Sequence, residues 1–123
     1  MKNLSDDPER GNLMAAACPS RDVLRRLTGR WGMLVLRVLA DGPQRFSTLR
    51  RQISGISERM LAQTLQGLEA DGLLTRRDFQ TVPPHVEYAL TAMGQEAALR
   101  VDALLDWIEG SLPQIARGWA KSA

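Results

Sequence analysis

The chain has 123 residues, the length of one ordinary domain, and a net charge of +2. Apolar residues make up 44% of it, which is enough for a hydrophobic core and excludes a disordered or fibrous protein. Its longest apolar stretch, residues 31–40, contains Arg37 and is shorter than the roughly 18 residues of a membrane span.

Cysteine usage and the N-terminal composition predict a cytoplasmic protein. Cys18 is the single cysteine, so the chain permits no internal disulfide and no cysteine-rich metal site. The first residues lack the apolar core of a signal peptide. We therefore expect a cytoplasmic protein with no membrane contact, no metal and no cofactor.

The charge is unevenly distributed along the chain. Residues 21–77 carry eleven arginines against five acidic residues, whereas residues 78–123 carry three bases against six acids. The basic centre predicts a polyanionic partner, and the acidic end predicts a different role for the rest of the chain. Arginine suits phosphates and guanine edges because its planar guanidinium donates two parallel hydrogen bonds.

The N-terminal third predicts an arm and two helices. Residues 1–17 show no sustained periodicity and are predicted to form a flexible arm, followed by one folded domain over residues 18–123. Ser20 is predicted to cap a helix that runs to Leu27. Residues 31–40 are apolar nearly all round, which predicts a central buried helix that ends at the following Asp-Gly-Pro.

Two helices separated by a short glycine-containing turn come next. Ser47 is predicted to cap the first and Ser57 the second, which runs to about Ala70. The second helix has an apolar stripe with spacings of four and three residues, formed by Leu61, Leu65 and Leu68. Its opposite face carries long polar side chains, those of Arg59, Gln63 and Gln66. Such a pair of helices is typical of a helix-turn-helix.

Strand periodicity follows the helix pair. Residues 73–79 and 85–90 are predicted to form two strands, and the tip between them contains Pro83 and Pro84. A hairpin directly after a helix-turn-helix is a wing. Such a hairpin predicts a fold that is mostly α with a small β-hairpin wing (α+β).

The C-terminal region predicts helices that join two subunits. Thr91 is predicted to cap a long helix to about Glu109, and Pro113 to break the run and open a last short helix. Apolar residues of this region recur at steps of three and four, which predicts a seam for a partner helix. The predicted dimer interface consists of Ala98, Val101, Leu105, Ile108 and Leu112.

Seven short motifs stand in an order and at separations that match a known family. They are Cys18-Pro19, Gly29-Arg30-Trp31, Gly42-Pro43-x-Arg45-Phe46, Leu49-Arg50-Arg51, Ile56-Ser57-x-Arg59-x-Leu61, Leu68-Glu69-x-Asp71-Gly72-Leu73 and Pro83-Pro84-x-Val86-Glu87-Tyr88-x-Leu90-Thr91. Over about residues 18–108 the chain resembles the HxlR-type winged-helix transcriptional regulators of bacteria. One departure is Arg30, where the family frequently has lysine, and it keeps the charge.

This resemblance implies a homodimer that binds a double-stranded DNA operator and regulates transcription, with a repressor expected and an activator as the alternative. Each subunit would place a recognition helix in the major groove and a wing alongside, while terminal dimerisation helices hold the subunits together. Some members of the family respond to oxidants, quinones or aldehydes through a cysteine at the position of Cys18. A small-molecule or oxidant inducer is therefore an expectation for this chain.

The second helix of the predicted pair is expected to read DNA bases. Arg59 suits guanine, Gln63 suits adenine, and Gln66 suits a base or a phosphate. The free amides at the start of this helix, near Ser57 and Glu58, favour a phosphate. Glu58 itself could instead repel the phosphate or accept a hydrogen bond from cytosine.

Phosphate contacts are expected from elements on either side of that helix. The residues predicted to make them are Arg45, Ser47, Arg50, Arg51, Arg76, Arg77 and His85. Arg76 and Arg77 point to opposite faces of a strand, so one of them should face DNA directly. Arg45 has an alternative, an ion pair with Asp41 or a wing acid in the same subunit. For His85 the alternative is simple exposure at the wing tip.

Cys18 has two interpretations. A lone cysteine is commonly a small buried hydrophobe. This one precedes a predicted helix, with Arg21 and Arg25 nearby, which would lower the pKa of the thiol and favour a redox or electrophile sensor. Its reactions would be an intersubunit disulfide, a mixed disulfide or an adduct. A ligand pocket lined by Trp31 and Trp107 is a separate hypothesis.

Other function classes fit the sequence less well. The chain has no promising Ser/His/acid order, no phosphate-cradling glycine loop and no paired metal ligands, so we do not expect an enzyme. The alternative to a DNA-binding regulator is a winged helix that binds protein. Such a module would show apolar or acidic residues on its recognition face, where this chain has arginine and glutamine.

Overall fold

The computed structural model describes residues 9–122, which form five α-helices and one two-stranded antiparallel hairpin. The elements are α1 Ser20–Thr28, α2 Gly32–Leu39, α3 Phe46–Gln52, α4 Glu58–Ala70, β1 Leu74–Asp78, β2 Val86–Leu90 and α5 Ala92–Ser122. This arrangement confirms the predicted class, mostly α with a small β-hairpin wing.

The core lies between α2 and the elements packed around it. Val35 and Leu36 of α2 are fully buried, and Leu61, Leu65 and Leu68 of α4 are at most 2% exposed. Fully burying a leucine side chain contributes about 1.5–3 kcal/mol. The leucine stripe predicted for α4 therefore fixes the rotation of this helix about its own axis.

Helix starts differ in how they are capped. Ser57 accepts a hydrogen bond from the backbone N–H of Met60 at 3.1 Å, as predicted for α4. Thr91 accepts one from the N–H of Gly94 at 3.0 Å at the start of α5. The caps predicted from Ser20 and Ser47 are wrong, because each residue lies inside the first turn of its helix and not before it.

The wing is joined to the helices through a short third segment. In the hairpin, Leu74 pairs with Leu90 and Arg77 with Glu87. On the outer side of β2, Gln44 forms a bridge whose two backbone hydrogen bonds with Tyr88 measure 2.9 and 2.8 Å. The chain just before α3 therefore holds the wing in place.

The last helix is continuous and does not break at Pro113. α5 runs from Ala92 to Ser122 with Pro113 inside it, so the predicted break and separate short helix are wrong. Proline removes one backbone donor from a helix, and the remaining hydrogen bonds can carry the helix past it. None of the helices within residues 9–122 is both long and apolar enough to cross a membrane.

The apolar stripe of α5 is divided between two environments. Ala98 and Val101 are 3% and 8% exposed and belong to the core of their own subunit, with Leu105 packed against it. Ala98 and Val101 are therefore not free to form the predicted dimer interface, whereas Leu105 is only partly buried. Ile108 and Leu112 lie beyond the core and are 41% and 49% exposed.

Residues 9–17 form turns against α1 and do not project as an arm. The guanidinium Nε of Arg21 donates to the carbonyl oxygen of Leu13 at 2.8 Å. The backbone N–H of Ala15 donates to the carbonyl of Asn12 at 3.1 Å. The predicted arm is thus tied to α1 over its second half, while residues 1–8 lie outside the described residues.

Candidate nucleic-acid interface

α4 presents its long polar side chains on the face away from the core. At about 100° per residue, Arg59, Gln63 and Gln66 lie opposite the leucine stripe. All three side chains are exposed. The face predicted to read bases is therefore open to solvent in the subunit, while the opposite face anchors the helix.

The N-terminus of α4 is joined to α3 by an ion pair. Arg50 Nη1 lies 2.8 Å from Glu58 Oε1, and both side chains are substantially exposed. The Glu58 carboxylate thus has a cationic neighbour in its own subunit. The sequence alone predicts that Glu58 either repels a phosphate or accepts a hydrogen bond from cytosine, and it does not predict this ion pair. Because Arg50 is partly neutralised by this pair, it is a weaker candidate for a phosphate than Arg51.

Two other α3 residues remain accessible beside α4. Arg51 and Ser47 are both exposed, and with Arg50 and Glu58 they line a shallow depression between α3 and the start of α4. The side chain of Arg51 makes one long hydrogen bond, 3.4 Å from Nη2 to Thr48 Oγ1. Its charge is therefore available to an anion on this side of α4.

Arg45 and His85 contact each other at the tip end of the wing, where His85 directly precedes β2. Arg45 Nη2 contacts His85 Nδ1, and the other ring nitrogen of His85 contacts Glu87. The His85 ring also packs edge-on against Phe79, with centroids 4.6 Å apart. Simple exposure of His85 is wrong, because both of its ring nitrogens have partners; Arg45 is tied to a wing histidine and not to Asp41.

The two wing arginines point to opposite faces of the hairpin, as predicted. Arg76 is opposite Tyr88 and Arg77 is opposite Glu87 in the strand register. The Arg77 guanidinium carbon lies 4.4 Å from the centroid of Phe79. Both arginines are exposed, so the strand register alone does not show which of them would face DNA.

An ion pair that no sequence motif indicates fixes the far end of α4. Arg26 of α1 donates from Nε to Asp71 Oδ2 at 2.6 Å and from Nη2 to the other carboxylate oxygen. The Asp71 side chain is only 11% exposed. Because 45 residues separate the partners, no local sequence pattern could reveal their contact.

A cleft lies between the α1–α2 loop and α4, and we call it the α1–α4 cleft. Its walls include Arg30, Trp31, Met60, Gln63, Thr64 and Gly67. The guanidinium carbon of Arg30 lies 4.9 Å from the centroid of the Trp31 ring. Trp107 is on α5, 59% exposed, and does not line this cleft. The hypothesis of a pocket shared by Trp31 and Trp107 is therefore wrong for this subunit.

Comparison with known proteins identifies the family. A family model described as HxlR-like helix-turn-helix matches residues 26–116. The chain belongs to the HxlR-like family. The resemblance found in its sequence motifs is thereby confirmed.

Several relatives of this HxlR-like protein cover most of its length. The uncharacterized HTH-type transcriptional regulator YtfH of Escherichia coli K12 is 54% identical over 113 residues, which cover 92% of this chain and 90% of YtfH. The structure of ytfH from Salmonella typhimurium is 54% identical, covers 90% of this chain and 99% of that one, and has a TM-score of 0.87. The redox regulator HypR in its reduced form is 33% identical, covers 80% and 98%, and has a TM-score of 0.73.

Cys18 of this HxlR-like protein is partly exposed and accepts two hydrogen bonds. The Ser20 hydroxyl donates to Cys18 Sγ at 3.0 Å, and the backbone N–H of Asn12 donates at 3.2 Å. These hydrogen bonds stabilise the thiolate and hold the pKa of Cys18 below its ordinary value, and the bond from Ser20 has the largest effect. A fully buried, inert cysteine is thus the wrong interpretation of this residue.

The arginines near Cys18 in sequence have other partners. Arg21 donates to the backbone carbonyls of residues 13 and 14, and Arg25 pairs with Asp22 at 3.2 Å. The pKa of Cys18 is therefore lowered as predicted, but hydrogen bonds and not these arginines lower it.

From Leu104 onward, α5 carries exposed apolar side chains. Their exposed fractions lie between 41% and 65%, and the residues are Leu104, Trp107, Ile108, Leu112 and Trp119. Most of them continue the stripe that Val101 begins in the core, because they recur at steps of about three to four residues. A group of exposed apolar side chains on one helix is typical of an interaction site.

Proposed function

We propose that this HxlR-like protein is a sequence-specific DNA-binding transcriptional regulator that inserts α4 into the major groove. The observation that carries the proposal is the division of α4 into two faces. Its leucines are at most 2% exposed, and Arg59, Gln63 and Gln66 stand exposed on the opposite side. A reading helix needs this combination, because its rotation must be fixed while its polar side chains remain free.

In the proposed complex, α4 residues discriminate bases and neighbouring elements bind phosphates. Arg59 would donate two hydrogen bonds to guanine, and Gln63 would pair with adenine. Arg51 and the exposed Ser57 hydroxyl would contact the backbone at the start of α4. The ion pair between Arg50 and Glu58 would hold the start of α4 against α3. Ser47 lines the same depression and would lie beside the bound backbone.

The wing would contact the neighbouring part of the duplex. Arg76 and Arg77 supply charge on its two faces, and one of them would face the backbone. Arg45 and His85 would act mainly by holding the wing against α3, because they contact each other. Because Arg45 and His85 contact each other, either residue could bind a phosphate only if this contact changed.

The proposed regulator acts as a homodimer joined through the exposed part of α5. Ile108, Leu112 and Trp119 would pack against the equivalent helix of a second subunit. A two-fold dimer would present two copies of α4 to half-sites about 34–36 Å apart, or a multiple of that distance. Of the interface predicted from sequence, Ile108 and Leu112 remain in this proposal.

A response to oxidants or electrophiles through Cys18 is a second part of the proposal. It is supported by the partial exposure of the thiol and by the hydrogen bonds that lower its pKa. A similar solved structure is named as the reduced form of the redox regulator HypR. Diamide would accept two electrons and two protons from the Cys18 thiols of two subunits, which would form an S–S bond as diamide is reduced to its hydrazine. With a quinone, the Cys18 thiolate would add to a ring carbon and form a C–S bond, and the ring would take up a proton to give the substituted hydroquinone.

The test is selection of bound duplexes from a random pool, followed by binding isotherms over a range of salt concentrations. A DNA-binding regulator should enrich a sequence with two half-sites. Its log K should also fall by about 0.9 per phosphate contact for each unit of log salt. Failure to enrich any sequence, together with salt-independent binding, would support the alternative of a winged helix that binds protein.

The redox proposal is tested on the enriched duplex. Diamide or a quinone should release the duplex from the wild-type protein and not from Cys18→Ser. Unchanged wild-type binding after oxidant treatment would contradict the sensor role of Cys18 and leave the DNA-binding role intact.

A further inference from the structure

Among residues 9–122, Arg30 of the α1–α4 cleft is a cation with no acidic partner. Its guanidinium stacks over the Trp31 ring at 4.9 Å, and it forms no ion pair in this part of the chain. Arg26, the other arginine of the cleft, is neutralised by Asp71. A stacked guanidinium keeps its edge N–H groups available, so Arg30 can donate to an anion.

The cleft and the α3 arginines lie on opposite flanks of α4. At about 100° per residue, Met60, Thr64 and Gly67 project to one flank and Glu58 projects to the other. Glu58 pairs with Arg50 of α3 on its flank. The exposed Arg59 and Gln63 lie between the two flanks. Positive charge beside the face proposed to read bases therefore comes from Arg51 on one side and from Arg30 on the other.

This arrangement matches the cross-section of an occupied major groove. An α-helix of about 10–12 Å diameter fills a groove about 12 Å wide, so one sugar–phosphate backbone borders the helix on each side. With α4 in the groove, Arg50 and Arg51 would stand beside one of these backbones. Arg30 stands on the flank where the other would run.

The loop that carries Arg30 is held in a fixed position relative to α4. The two hydrogen bonds between Arg26 and Asp71 join the end of α1 to the end of α4. A Cβ atom added to Gly67 would lie 2.9 Å from Arg26 Cδ, so the absence of a side chain at Gly67 permits this close approach. A loop positioned in this way lowers the ordering cost of an anion contact by Arg30.

The size and lining of the cleft favour a single phosphate over a drug-sized ligand. The cleft has a volume of about 240 Å³, and none of the described residues in its walls is acidic. Pockets for drug-sized molecules hold roughly 300–1,000 Å³ and bury most of the ligand. An open, basic cleft below that range suits one anionic group at its mouth.

We propose that Arg30, stacked on Trp31, binds a backbone phosphate of the DNA strand across the major groove from the strand that α3 contacts. The inference rests on the proposed function and adds a second phosphate-binding element on the far flank of α4. Gln63 lies both in the wall of the cleft and on the face of α4 proposed to read bases. A phosphate bound at the mouth of the cleft would therefore lie next to this face and help to set how deeply α4 enters the groove.

The first test compares salt dependence on one mixed-sequence duplex of about three helical turns. Arg30→Ala should reduce the slope of log K against log salt by about 0.9 for each phosphate that is no longer bound. Arg30→Lys keeps the charge and should retain most of that slope. Arg100→Ala removes an exposed arginine of α5 and should leave the slope unchanged. Circular dichroism and Tm should show that all the variants are folded.

An Arg30→Ala slope equal to that of the wild type would overturn the inference while the proposed function stands. A wild-type protein without salt-dependent binding to any duplex would instead overturn the proposed function. A reduction by Arg100→Ala as large as that by Arg30→Ala would show a general charge effect and also contradict the inference.

The second test locates the contact on the duplex obtained by selection. Single phosphates are neutralised by ethylation, and the positions that weaken binding are mapped for the wild type, Arg30→Ala and Arg51→Ala. The position that becomes insensitive in Arg30→Ala should lie across the major groove from the one that becomes insensitive in Arg51→Ala. Both positions on one backbone would contradict the assignment of Arg30 to the second strand.

Discussion

Gly94 packs directly against the carbonyl oxygen of Leu73, where α5 begins beside the wing. A Cβ atom at Gly94 would overlap this oxygen, which also accepts the backbone N–H of Thr91 at 3.0 Å. The Thr91 hydroxyl donates to the carbonyl of Gly72 at 2.6 Å. The contact between Gly94 and Leu73 therefore sets how closely α5 approaches the end of α4 and the wing.

Gly94→Ala should destabilise the protein strongly because backbone atoms must move to accommodate the methyl group. We expect a loss of about 3 kcal/mol in the free energy of unfolding, measured by urea denaturation at fixed protein concentration. Gly110→Ala is the matched control in the same helix, since a Cβ there meets no atom within 4 Å. It should be stabilising by up to about 1 kcal/mol, because alanine favours helix over glycine. Equal stabilities of the two variants would contradict this account.

Elements governed by neighbours along the chain could be predicted from the sequence. The leucine stripe of α4 and the Ser57 cap depend on spacings of three or four residues, and both are present. The exposure of Arg59 and Gln63 follows from the same periodicity. These features needed no knowledge of how distant segments pack.

Features governed by distant segments could not be predicted in this way. The contact between Arg26 and Asp71 depends on how α1 lies against α4, and the contact between Arg45 and His85 depends on the wing register. The apolar stripe of α5 gave no sign of where the core ends, so Ala98 was wrongly assigned to a partner subunit.

Arg59 and Arg51 should differ in how their loss affects DNA binding. Arg59→Ala should cost about 1–3 kcal/mol on the selected duplex and relax specificity at one position, because it removes a base contact. Arg51→Ala should weaken binding to specific and scrambled duplexes alike, because it removes a phosphate contact. Isotherms on the two duplexes measure the difference. Equal losses on both for Arg59→Ala would remove Arg59 from the role of reading bases.

Ser20 should control the reactivity of Cys18. The Ser20 hydroxyl bond is the largest cause of the lowered pKa of Cys18, so Ser20→Ala should move that pKa upward. The thiolate is the reactive form, and its fraction at a given pH falls when the pKa rises. The pH at half-maximal alkylation by iodoacetamide should therefore shift to higher values in Ser20→Ala. Ser54→Ala, in the α3–α4 turn, should keep the wild-type profile, and an unshifted Ser20→Ala profile would contradict the role of this bond.

The exposed stripe of α5 should hold the proposed dimer together. Leu112 is 49% exposed in the subunit, and Leu112→Glu would place a charge in an apolar helix contact. If Leu112 is a central contact, its replacement should cost about 2 kcal/mol or more, which corresponds to roughly a thirtyfold rise in the dimer dissociation constant. Sedimentation equilibrium measures this constant directly.

Val82→Glu is the control for that experiment because it makes the same kind of change at the wing tip, where Val82 is 99% exposed. It should leave the dimer dissociation constant at the wild-type value. Leu112→Glu should also lose the extra affinity that a dimer has for a duplex with two half-sites. Its affinity for a duplex with a single half-site should be retained, because α4 is unchanged in each subunit. A Leu112→Glu protein that remains a dimer at the wild-type dissociation constant would show that the subunits meet through another surface.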